Sequence, residues 1–126
     1  MKTWLVAVAL TGPLLGGMAA AETLDGNGFL KACRLTVKFI DDEPITEDRG
    51  LEVGYCLGLI EGVRNSMILL NPHLPKDYKV CFPSSLITNR QAARIVVKYL
   101  DNHPAILDKD KTLLTMYAFA DAYPCK

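Results

Sequence analysis

The chain has 126 residues, half of them hydrophobic, and its 14 basic residues are balanced by 14 acidic ones at a pI near 6.7. No basic stripe or high pI points to nucleic acid, and this length is that of one domain with a small core. The chain has two histidines and four cysteines.

Lys2 is followed by an apolar segment from Trp4 to Leu15, then by Gly16, Gly17, Met18 and Ala19-Ala20-Ala21. A basic start, a short apolar stretch and an A-x-A end form the pattern of a secretory signal peptide, with cleavage expected after Ala21. No second span follows, and Cys33 is too far from the cleavage point to carry a lipid. Residues 22–126 are therefore expected to be one exported domain without a membrane anchor, nearly neutral once Lys2 is gone.

Asn27 is the expected N-cap of a first helix that carries Phe29, Leu30 and Cys33 on one face and fades near Val37. A polar connection follows over 38–49, with Pro44 and five acidic residues, Asp41, Asp42, Glu43, Glu47 and Asp48. It reads as a solvated loop or as a surface for a basic partner.

Residues 51–70, LEVGYCLGLIEGVRNSMILL, are the longest apolar run of the mature chain. Val53, Cys56, Leu57, Ile60, Val63 and Met67 recur at helical spacing, while Leu59, Leu69 and Leu70 spread apolar character round the other side. A helix apolar nearly all round is expected to be buried. Gly54, Gly58 and Gly62 form a strip advancing about 40° per step. Three helical glycines cost roughly 3 kcal/mol relative to alanine, so a backbone packed closely against the strip is expected to offset them. Core packing is the first reading, a dimer or partner groove the second. Glu61 falls beside the strip, either wet at its rim or hydrogen-bonded in a groove. Glu52, Glu61 and Arg64 interrupt the run too often for a membrane span.

Asn71-Pro72 ends this helix, because proline disfavours helical geometry in the residue before it. An irregular connection over 71–87 carries Cys81, His73, Lys76 and Tyr78. Thr88-Asn89-Arg90-Gln91 fits a capping box opening a third helix with Ala92, Ile95, Val96, Tyr99 and Leu100 on one face. His103-Pro104 stops it. Asp108 is the expected cap of a fourth helix, with Leu113, Met116, Tyr117 and Ala120 facing inward. The fold class is all-α, a small four-helix, roughly bundle-like domain.

Four cysteines in an exported domain read as two disulfides, and three pairings exist. An antiparallel pair of third and fourth helices would bring Cys81 towards Cys125. The loop joining the first two helices would bring Cys33 towards Cys56. That ranking favours Cys33–Cys56 with Cys81–Cys125, each bridge contributing roughly 3–4 kcal/mol.

No catalytic constellation is visible, nor any cofactor or metal motif. His73 lies between prolines, His103 suits a helix C-terminus, and Ser84-Ser85 lacks the glycines of a nucleophile elbow. The sequence reads as a binding protein rather than an enzyme.

Several pieces in order resemble the Rap/Tai family of type VI secretion immunity proteins. They are F-L-K-A-C ending at Cys33, G-Y-C-L-G-L-I-E-G-V over 54–63, C-F-P over 81–83, V-V-K-Y-L-D-N-H-P over 96–104 and Y-P-C over 123–125. Ser84-Ser85-Leu86 departs from the resemblance, standing where a glycine-containing turn is common. The resemblance implies a periplasmic protein that binds and blocks a toxic effector, in one branch a peptidoglycan amidase, and that works as a homodimer. Loops concentrate binding residues, so the expected contacts are Asp41, Asp42, Glu43, Glu47, Asp48, Glu61, His73, Lys76 and Tyr78. The alternative function is a periplasmic acid-stress chaperone of the HdeA type. A small peptidoglycan-processing enzyme is a third.

Overall fold

The computed structural model describes residues 25–126, so the expected signal segment 1–21 lies outside the described residues. Four helices form the domain: α1 (Gly26–Ile40), α2 (Gly50–Leu70), α3 (Asn89–Asn102) and α4 (Lys111–Ala122). Among the described residues there is no strand, only two isolated antiparallel bridges, Asp25 with Asp110 and Val80 with Pro124. The fold is all-α, as the periodicity predicts.

Two helix starts fall two residues from their expected caps. At α1 the Asp25 carboxylate, not Asn27, accepts from the Gly28 amide at 3.0 Å. The Asn27 side chain donates instead to the Leu107 carbonyl at 3.1 Å. At α4 it is Asp110, not Asp108, that accepts from the amides of Thr112 and Leu113, at 2.8 and 3.1 Å. The first helix also outlasts its expected fade at Val37 and ends at Ile40. The capping box of α3 forms as predicted, Thr88 and Gln91 satisfying each other's backbone amides.

Gly26 is the glycine that close packing requires. A Cβ there would stand 2.3 Å from Leu114 Cδ1 and 2.7 Å from the Leu107 carbonyl oxygen. Its amide donates to the Lys109 carbonyl at 3.0 Å, tying the start of α1 to the turn before α4. Docking there sets the phase of α4: Leu114, Thr115, Ala118 and Phe119 are buried, whereas Leu113, Met116, Tyr117 and Ala120 are only half-buried. The expected inner face is thus wrong by about one residue.

Phe29, Ile60, Leu100, Leu114 and Phe119 are fully enclosed at the centre. Thr36 and Thr115 join them without an unpaired hydroxyl, donating to the Ala32 and Lys111 carbonyls one turn back. Both disulfides take the favoured pairing. Cys33–Cys56 joins α1 to α2 inside the core, and Cys81–Cys125 ties the loop before α3 to the end of the chain. α1 and α3 run antiparallel, with exposed ion pairs Arg34–Asp101 and Asp41–Arg94.

Candidate interaction surface

The inner face of α2 is the one its spacing predicts, with Val53, Cys56, Ile60, Val63 and Met67 buried and Leu57 half-buried. The glycine strip corrects the expectation of core packing. Gly54, Gly58 and Gly62 are all exposed, and a Cβ added at any of them meets nothing within 4 Å. The strip is open because one side of α2 already supplies the core, so its second apolar side is left outward. Leu51 is 85% exposed and Leu69 78%, one at each end of that side. Leu51, Gly58, Gly62, Asn65 and Leu69 share this face by helical spacing. By length and composition the run 50–73 matches a membrane span. Its disulfide to α1 and its buried inner face make it the core helix of this domain.

Beside the strip, a groove of about 280 Å³ opens between α2 and α4. Gly58, Gly62, Ser66 and Leu70 form one wall, and Leu74 and Met116 contribute to the rest. Missing side chains make it: each glycine lowers the helix surface by a full side-chain layer. Glu61 does not line this groove: it is exposed on the side of α2 towards α3, where it accepts from Asn89 Nδ2 at 3.3 Å.

Apart from Glu61, which lies in the middle of α2, the expected contact residues divide into two groups attached at opposite ends of that helix. A helix of 21 residues spans about 30 Å, so they do not form one compact patch. At the N-terminal end, Asp41 is engaged by Arg94. Asp42 is exposed with a left-handed backbone (φ 58°), tolerable for a short polar side chain. The Glu43 amide donates to the Lys38 carbonyl at 2.9 Å. Glu47 and Asp48 belong to the short 3-10 turn 47–49. A hydrogen bond from Thr46 holds the Asp48 carboxyl below its ordinary range.

At the C-terminal end, His73 and Lys76 are exposed, while Tyr78 is half-buried and stacked on Tyr117 with ring centroids 5.8 Å apart. A hydrogen bond with Tyr117 raises the Tyr78 phenol. His103 takes its expected place at the end of α3, its Nδ1 2.7 Å from the Tyr99 carbonyl and its ring stacked on Tyr99.

Sequence reading missed Leu86. This leucine is 55% exposed and has φ 54°, in the left-handed region. Only its chemical departure from a glycine-containing turn marked it beforehand.

The domain is all-α, stapled by two disulfides, and its longest helix is open on one side. A family profile described as Rap1a immunity proteins matches residues 25–125, and the chain belongs to that family. No curated protein and no solved structure matched it.

Proposed function

We propose that the protein is a periplasmic immunity protein that binds and neutralises a toxic type VI secretion effector of the peptidoglycan amidase class. Export through the 1–21 signal segment places it where such a toxin acts. It inhibits by complementarity and performs no chemistry of its own. The observation that carries this reading is the immunity-family match over 25–125. Exposed loop residues at both ends of α2 offer contact surface without rearrangement of the core.

In the same reading the protein is a homodimer paired through α2. Antiparallel pairing sets Leu51 of each copy against Leu69 of the other and lets Gly58 and Gly62 bring the two backbones close. A self-complementary face of this kind is what a two-fold interface needs.

The test is capture from periplasmic extract and culture supernatant with the oxidised protein, residues 22–126. Retention of one hydrolase at near one-to-one stoichiometry, inhibited on binding, is the expected result. Retention of no hydrolase defeats the reading. Capture of many unrelated proteins, mainly after acid treatment, replaces it with the chaperone.

A further inference from the structure

We propose that Leu86 is the anchor with which this chain enters an apolar pocket of its effector. The inference rests on the immunity reading and adds to it a named specificity residue. Two observations about Leu86 conflict with a purely structural role. Its side chain is more than half exposed, so its burial contributes little to the core. Its backbone is also left-handed, a conformation in which Cβ crowds the following carbonyl oxygen and which glycine adopts freely. Among the described residues Asp42 is the other non-glycine residue with positive φ, and it has the short polar side chain that tolerates that region. Leucine has neither excuse.

The surroundings show why the backbone cannot relax. The Leu86 amide donates to the Pro83 carbonyl at 2.9 Å, closing a turn. Next in the chain, Ile87 is buried and its carbonyl accepts from Arg64 Nη1 of α2 at 2.9 Å. Thr88 then caps α3. Upstream, Cys81 is bridged to Cys125, and its amide donates to the Tyr123 carbonyl at 2.9 Å. The turn therefore requires a left-handed residue at 86, but nothing in the fold requires a leucine there.

A large apolar side chain on a loop fixed at both ends is pre-organised for insertion, since little freedom remains to be lost on binding. Ser84 and Ser85, exposed on the same turn, supply hydroxyls for the rim around it. The fitting partner surface is an apolar pocket of leucine size bordered by polar groups. Strain kept at an exposed position is a mark of function.

The experiment compares wild type with Leu86→Gly and Leu86→Met, using as probe the hydrolase that the wild-type protein retains. Leu86→Gly is expected to raise the thermal midpoint by about 4 °C and to weaken binding roughly thirtyfold. Leu86→Met should keep most of the affinity. A glycine variant that is more stable and binds as tightly as wild type overturns the anchor and leaves the immunity reading standing. A glycine variant that melts lower makes Leu86 structural and also overturns it. If wild type retains no hydrolase, the immunity reading fails and the anchor falls with it.

Discussion

Asp25 and Asp110 cap the first and last helices and face each other across an antiparallel bridge. Two helix N-termini thus meet at one point, each with its own carboxylate on its first amides. Burial raises the phenol of Tyr55 in α2, and the fields of the Asp110 and Asp25 carboxylates add to it. Removing the α4 cap with Asp110→Ala should cost about 1 kcal/mol. For a domain of this size that lowers the midpoint by about 4–8 °C, measurable by calorimetry.

Asp25 also gives the domain an acid sensitivity of known sign. Hydrogen bonds from Gly28 and Asn27 hold its carboxyl below the ordinary value of 3.8. A lowered carboxyl contributes stability that is fully present above the unfolded value and is lost as pH falls through the folded one. Denaturant midpoints should therefore fall below about pH 4. Asp25→Asn keeps an acceptor at the cap without the charge and should flatten that fall. An unchanged slope in the variant would remove Asp25 as a cause.

The glycines should separate by sign. Gly26→Ala drives a methyl into Leu114 and the Leu107 carbonyl and should destabilise by about 1–3 kcal/mol. Gly58→Ala meets no atom within 4 Å and should stabilise the monomer by about 0.5–1 kcal/mol. On the proposed dimer the same methyl stands between two backbones. Gly58→Ala should then raise the dilute-solution midpoint while weakening self-association, the two read by unfolding and sedimentation.

Leu51→Glu combined with Leu69→Glu tests that face more directly. Both side chains are largely in solvent, so the monomer fold should hold. Charges on the paired ends should shift sedimentation from dimer to monomer. A wild-type protein that sediments as a monomer at high micromolar concentration would refute pairing through α2.

Each bridge should be worth a sizeable part of a stability that for such domains totals about 5–15 kcal/mol. Sequence separations of 23 and 44 correspond to about 3.5 and 4 kcal/mol of loop entropy. Paired cysteine-to-alanine variants should lose about these amounts in urea unfolding. Equal stability of oxidised and reduced protein would contradict this.

Much of the fold was legible because several signals were local and unambiguous. Thr88 and Gln91 form one capping box, and the inner face of α2 follows its spacing from Val53 to Met67. Two kinds of feature were not legible. Asp25 and Asn27, like Asp108 and Asp110, offer two capping side chains two residues apart, and tertiary bonds to the loop before α4 choose between them. The run from Leu113 to Ala120 is apolar almost throughout, so periodicity fixes its helix but not its phase. For the same reason Gly54, Gly58 and Gly62 revealed a strip but not its direction. The contact candidates of 41–48 and 73–78 were legible as exposed loops. Leu86 was not, since a backbone dihedral leaves little trace in residue type.

The two ion pairs between α1 and α3 discriminate orientation more than they add strength. Exposed pairs of this kind contribute only about 0–1 kcal/mol. Yet Arg34 and Asp41 occur in the order basic then acidic, and Arg94 and Asp101 repeat that order at the same seven-residue interval. Antiparallel packing matches each charge with its opposite. A parallel arrangement would set arginine against arginine and aspartate against aspartate, and a slip of one turn would part both pairs together. Asp41, read from sequence as a hand held out to a partner, serves within the chain as half of a polarity key.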